Sequence, residues 1–202
     1  MLIDVLFPPR CVSCSVPGDW WCAGCDRRVA RIPRPFESTG ELAQLLAAAE
    51  HREPLTHLIK SLKYRHAKAV VPAMATMFVP LLRKIPTRNL LLIPVPLHPK
   101  RLKARGHNQS ALLAEAVSEL TALPLSTALI RTRHTPTQTG LSRIGRKRNV
   151  ADAFEWTGGS LTDYLPLLVD DVYTTGATLD ACAVACKSAG ATEVWGLTVG
   201  KR

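Results

Sequence analysis

Leu165-Pro166-Leu167-Leu168-Val169 is an apolar run that ends directly on two adjacent acids, Asp170 and Asp171, and then on a turn of small and hydroxyl-bearing residues, Thr174-Thr175-Gly176-Ala177-Thr178. Few architectures accept that order. Two neighbouring aspartates cannot both enter a core uncompensated, because a buried charge must be paired or hydrogen-bonded. In an open parallel sheet, by contrast, ligands gather where strands end at their carboxyl side, and that is where the acids stand here. Sugar hydroxyls are natural donors to carboxylates, so the pair can hold the two hydroxyls of a ribose. The residues from Thr174 to Thr178 then offer backbone N–H groups and hydroxyls at a helix N-terminus, where a phosphate is favoured. Their small size lets the backbone approach closely. The plain alternative, in which Asp171 starts a turn and Thr178 caps a helix, leaves the coincidence of strand, twin acids and hydroxyl turn unexplained.

The rest of the chain supplies the frame this turn needs. Leu55, Leu58, Ile59 and Leu62 recur at helical spacing while Lys60 and Lys63 lie off that stripe, which predicts an amphipathic helix with a basic side. Val70 to Ile85 reads as a second, more buried helix. Leu90 to Leu97 is apolar, but its prolines exclude a helix and favour a buried strand with a basic exit loop carrying Lys100, Arg101, Lys103 and Arg105. A helix over Ser110 to Leu120, a short strand over Ala128 to Arg131, a helix over Thr178 to Ala189 ended by Gly190, and a last strand over Glu193 to Val199 complete an alternating order. Such an order predicts a parallel sheet with helices on both faces. Cys182 and Cys186, one helical turn apart, read as core packing. The Ala- and Leu-rich stretch from Glu41 to Glu50 reads as the start of a helical pattern.

The N-terminus carries a separate signal. Cys11-Val12-Ser13-Cys14 and Cys22-Ala23-Gly24-Cys25 are two CxxC pairs with seven residues between them. Four thiolates complete a closed tetrahedral shell around zinc and leave no position for a catalytic water. A redox dithiol is the competing idea, but it needs one CxxC on a βαβ frame. Pro33 and Pro35 end the tail of this knuckle, so the chain divides into a four-cysteine zinc knuckle over 1–36 and a larger domain over 37–202.

Composition limits the partners. Net charge is +10, and between Pro54 and Ala114 there are eleven Lys or Arg and no Asp or Glu, with six more from Leu120 to Ala151. A surface so arranged attracts polyphosphates or nucleic acid, although solvated faces also carry such charge. No apolar run reaches the ~20 residues of a membrane span, and Met1 to Phe7 lacks a basic leader. The expectation is a soluble, cytoplasmic protein.

The run from Leu168 to Thr178 closely resembles the signature of type I phosphoribosyltransferases, which bind 5-phosphoribosyl 1-diphosphate. Over essentially its whole length the chain resembles the ComF family (ComFC and GntX-like proteins) through four segments. These are the paired CxxC knuckle; Leu62-Lys63-Tyr64-Arg65; Pro94 to Arg101 with Arg105-Gly106-His107-Asn108-Gln109; and Arg131 to Phe154, which includes Thr135 to Arg143 and Arg148-Asn149-Val150. The chain departs from the family at His66 and Asp152, where glycine is common, and at Gly145, where glutamate is frequent.

The resemblance implies a type I phosphoribosyltransferase-like α/β fold, a parallel sheet flanked by helices, with a small N-terminal zinc knuckle. It implies Asp170 and Asp171 as the catalytic pair and Thr174, Thr175, Gly176, Ala177 and Thr178 as the phosphate and ribose cradle. Lys100 and Arg101 would grip the diphosphate, and a mobile loop with Gln138, Arg143, Arg146, Lys147 and Arg148 would close over it. Magnesium would accompany the ribosyl diphosphate, and Cys11, Cys14, Cys22 and Cys25 would hold structural zinc. In the purine-salvage enzymes an aspartate facing the base stands where this chain has Thr174, which speaks against a purine acceptor. Two functions follow. One is a phosphoribosyltransferase of the glycosyltransferase class with an unknown acceptor. The other is a non-catalytic protein that binds single-stranded DNA in competence and DNA uptake, with other competence proteins as partners. Single-strand binders usually add stacking aromatics, and aromatics are only 5% of this chain.

Overall fold

The computed structural model describes residues 8–38, 40–64, 67–85, 89–133 and 152–202. Among its described residues the knuckle carries one short helix, α1 (Ala23–Arg27). The remaining order is β1 (Phe36–Glu37), β2 (Gln44–Glu50), α2 (Leu55–Tyr64), α3 (Ala67–Leu82), β3 (Leu90–Pro94), α4 (Pro99–Arg105) and α5 (Gln109–Thr121). Then come β4 (Leu129–Arg131), β5 (Phe154–Trp156), β6 (Leu165–Tyr173), α6 (Ala177–Ser188) and β7 (Trp195–Lys201). The main sheet has the order β1-β2-β7-β6-β3, in which β2, β7, β6 and β3 run parallel and β1 closes one edge antiparallel. β4 and β5 pair antiparallel in a small second sheet.

Strand alternation sorts the core into two layers. Leu90, Leu92, Leu167, Val169, Leu197 and Val199 join the apolar side of α2, α3 and α5. Leu91, Ile93 and Leu168 join α6 and the β4–β5 pair instead. The expected parallel sheet flanked by helices is therefore present, and it follows from period-2 apolar strands that must be covered on both sides. Cys182 and Cys186 are fully buried in the second layer, as expected.

Three local expectations change. The Ala- and Leu-rich stretch is not helical: Gln44–Glu50 is strand β2, buried at its five inner positions. Helix propensity is a weak prior, and this segment lies between β1 and β7, where a strand is covered on both faces. It lies close against β7 because Gly196 opposes Leu45 in the register, and a Cβ there would come within 3.0 Å of the Leu45 side chain. The basic exit after β3 is not a loop but helix α4. His98 caps it by accepting the Lys100 N–H at 3.2 Å, Pro99 occupies its first turn, and Gly106 ends it at φ +81°. A proline that breaks helices in mid-run is favourable at the first helical position. Third, β6 continues to Tyr173, so both acids lie inside the strand, with Asp170 opposite Thr198 and Tyr173 opposite Lys201 in β7.

Cys11, Trp21, Cys25 and Val29 of the knuckle pack into the same apolar layer as α2 and α3. Its tail runs antiparallel beside β2, with the Ile32 N–H donating to Ala48 at 3.0 Å and the Glu50 N–H to Ala30 at 2.9 Å. Among the described residues, no helix is long and apolar enough to cross a membrane.

Candidate functional site

Because β2, β7, β6 and β3 run parallel, their carboxyl ends collect at one edge. β3 and β6 leave together, Pro94 opposite Val169, with the Val95 N–H donating to the Val169 carbonyl at 3.0 Å. β7 leaves beside them, and the Arg202 N–H donates to the Tyr173 carbonyl at 3.0 Å. The exits of β3, β6 and β7 thereby bring α4, the acidic pair, the Thr-rich turn and the last residues of the described chain to one rim.

The turn after Tyr173 is built around Gly176, which adopts φ +79° as the N-cap of α6. A Cβ at this position would meet the Tyr173 hydroxyl at 2.6 Å, so both conformation and space call for glycine. Among the described residues no side chain caps α6, and the N–H donors of its first turn have no partner within the helix. Thr174, Thr175, Gly176, Ala177 and Thr178 line a small hollow together with Asp170 and Val172.

The two acids are anchored by different elements. Asp170 Oδ1 accepts from the Ser110 hydroxyl and from the Asp171 backbone N–H, each at 2.8 Å. Burial and the adjacent Asp171 charge push the Asp170 carboxyl up to about 7, against the pull of those two donors. Asp171 is 4% exposed, and its Oδ2 lies 2.6 Å from the Lys63 ammonium at the end of α2. Ser110 is aimed by the start of α5, where Asn108 caps the helix by accepting the Ser110 N–H at 3.0 Å and donates its own amide to Val95 at 3.0 Å. Lys63 is steadied nearby, since the His107 ring and the Leu62 carbonyl lie within hydrogen-bond distance at 2.9 Å.

Around this pair the charge is positive. Lys100 is exposed and Arg101 partly buried on α4. Arg131 on β4 covers the Phe154 ring at 5.2 Å. Burial first, then the Arg101 charge, lowers Arg131 from its ordinary value, while Cys182 and Asp170 oppose that shift. Arg131 thus lies within electrostatic reach of both Asp170 and Arg101. Gln138, Arg143, Arg146, Lys147 and Arg148 fall outside the described residues.

Sequence reasoning missed Lys63, Ser110 and Arg131 as members of this cluster. Lys63 and Arg131 lie in segments already singled out, but the apolar stripe of α2 placed Lys63 on a solvated side. Ser110 carried no signal beyond opening a helical pattern.

In the knuckle the four sulfurs of Cys11, Cys14, Cys22 and Cys25 all lie within 4.8 Å of one another. The Cys11–Cys25 and Cys14–Cys22 separations are 3.7 and 3.6 Å. A tetrahedron of thiolates around zinc at about 2.3 Å has edges of about 3.8 Å, so the donor set fits that ion in size and chemistry. Burial raises the Cys11 thiol, but backbone N–H donors from Cys22, Cys14 and Ser13 outweigh it and bring it down to about 6. Arg28 donates to the Cys25 sulfur at 3.2 Å.

Comparison with known proteins decides the family. The chain is 32% identical to DNA utilization protein YhgH of Escherichia coli over 193 residues, which cover 92% of this chain and 82% of that one. The chain belongs to the ComF family. Competence protein F of Haemophilus influenzae, another member, is 28% identical over 219 residues, covering 93% of this chain and 96% of its own. No protein-family model matches this ComF member. A purine phosphoribosyltransferase from Pyrococcus horikoshii overlays with a TM-score of 0.41 at 19% identity, covering 65% of this chain and 82% of that one, a level that decides nothing about the site.

Proposed function

We propose that this ComF protein binds 5-phosphoribosyl 1-diphosphate at the carboxyl edge of its sheet and transfers the phosphoribosyl group to an acceptor. The observation that carries the reading is the Asp170–Asp171 pair standing beside a Gly176-capped helix start with no side-chain cap. In this reading the turn from Thr174 to Thr178 holds the 5-phosphate by backbone donors, and the two acids take the ribose hydroxyls. Lys100 and Arg101 face the diphosphate. Magnesium bound with that diphosphate would help neutralise the leaving group. The bond from ribose C1 to the diphosphate oxygen breaks with its electron pair going to the diphosphate, and the acceptor nucleophile bonds to C1. The protein's contribution is chiefly positive charge placed where negative charge develops. Gln138, Arg143, Arg146 and Arg148 are assigned to the closing segment. Cys11, Cys14, Cys22 and Cys25 are assigned to structural zinc.

Calorimetric titration with ribosyl diphosphate and magnesium tests the binding, and diphosphate release with bases, amines or oligonucleotides as acceptors tests the transfer. Saturable binding with release for one acceptor class is the expected result. Absence of binding removes the reading.

A second reading draws on the relatives, which carry the names competence protein F and DNA utilization protein. In it the same rim and its basic residues bind single-stranded DNA, with other competence proteins as partners, and no transfer occurs. Oligonucleotide affinity that drops steeply as salt rises supports it, because displaced counterions drive such binding. Affinity indifferent to salt removes it.

A further inference from the structure

Lys63 and Asp171 form a largely buried ion pair. Their side chains are 28% and 6% exposed, whereas those of Arg31–Asp26, Arg52–Glu50 and Lys187–Glu41 are between 38% and 65% exposed. Exposed pairs contribute little, but removing one partner of a buried pair leaves an uncompensated charge. The Lys63 backbone is also fixed, since Leu55, Leu58 and Leu62 of α2 are buried to 1% or less and the Leu62 carbonyl meets His107. A flexible surface lysine would find the acid only part of the time. This one is delivered to it.

The two acids are held by different elements. Asp170 and Asp171 are neighbours within one strand, and burial first, then the Asp171 charge, raises the Asp170 carboxyl. Ser110 serves Asp170, and Lys63 serves Asp171. We propose that Lys63 is the positioning residue of the sugar site: its ammonium, 2.6 Å from Asp171 Oδ2, fixes that carboxylate for a ribose hydroxyl. The inference rests on the ribose-phosphate reading above and assigns within it the residue that makes the site select a ribose. Lys63 touches no reacting atom. It acts through Asp171.

The test compares affinities for ribose 5-phosphate, 2-deoxyribose 5-phosphate, 3-deoxyribose 5-phosphate and inorganic phosphate in the full-length zinc-loaded protein. The wild type is expected to prefer ribose 5-phosphate over at least one deoxy analogue by about tenfold to a hundredfold, the range of a hydrogen bond to a charged group. In Lys63→Met that preference is expected to fall to about threefold or less, with phosphate affinity held within about threefold. Lys63→Arg is expected to restore at least half of the preference in logarithmic terms. Lys63→Gln is read in the same way if the methionine variant does not fold. A folded variant whose preference is unchanged, or whose affinities for all four ligands fall equally, overturns the assignment while leaving the ribose-phosphate reading intact. A wild type that binds phosphate but none of the sugars overturns both.

Discussion

His57, in the first turn of α2, shares a 3.2 Å hydrogen bond with Ser13, which lies between the first two cysteines of the knuckle. The same ten-residue helix ends beside Asp171 through Lys63. One rigid element therefore touches the knuckle at its start and the acidic pair at its finish. Cys11 and Cys25 pack in the same apolar layer as Leu55, Leu58 and Leu62. The purified protein is expected to hold one zinc ion per chain by elemental analysis. Cys11→Ser should lose that zinc and lower the thermal midpoint by about 10 °C or more, since structural zinc sites contribute several kcal/mol. Ribosyl diphosphate affinity should weaken in the same variant. A cysteine variant suits this test because a chelator would also remove magnesium.

Asp170 gives the protein a pH dependence of unusual sign. The ordinary aspartate value is 3.8, and the folded state raises it to about 7. Between those values the unfolded chain has released the proton while the folded chain retains it. The folded state then binds more protons, so this group's contribution to stability falls as pH rises from about 4 to about 7 and is level above that. An ion-paired carboxylate behaves in the opposite way. Asp170→Asn should therefore stabilise the protein at pH 8, on the order of a few kcal/mol, and give little or no gain near pH 4. Thermal midpoints of both proteins across that window provide the check.

Replacing both acids separates site from scaffold. Asp170→Asn with Asp171→Asn should reduce ribosyl diphosphate affinity at pH 8, above the raised Asp170 value, by about a hundredfold or more, as two hydrogen bonds to charged groups are lost. Zinc content should be unchanged, because the four sulfurs belong to the knuckle and neither acid is among them. Titration calorimetry with metal analysis on the same preparation reads both. Unaltered affinity would sink the assignment of the pair.

Gly176→Ala should be costly for a one-carbon change. Its φ of +79° is strained for any residue with a Cβ, and that carbon would meet Tyr173 Oη at 2.6 Å. Roughly 1–2 kcal/mol of stability should be lost from the backbone alone, together with affinity for inorganic phosphate as the turn shifts. Denaturant unfolding and phosphate titration measure the two effects.

Much of this molecule was legible in one dimension. The two CxxC pairs at short spacing, the apolar runs over Leu90–Pro94 and Leu165–Val169, and the hydroxyl turn after twin acids each carry their meaning locally, through ligand chemistry, burial and backbone freedom. Those signals implied the knuckle, the parallel sheet and the position of the candidate site at its carboxyl edge. Burial on two faces is not a local property, and it turned Gln44–Glu50 from an apparent helix into a central strand beside β7. Nor does helical periodicity say what stands opposite a side chain. Lys63 lies off the apolar stripe of α2, and by sequence alone it belongs to water. It meets Asp171 because β6 and α2, about a hundred residues apart in the chain, bring their ends together. The sequence by itself determined the strand that ends in twin acids and a hydroxyl turn, and so where the candidate site lies. Only the tertiary structure decided which charges neutralise one another, because a pairing at 2.6 Å depends on where the strands and helices end in space.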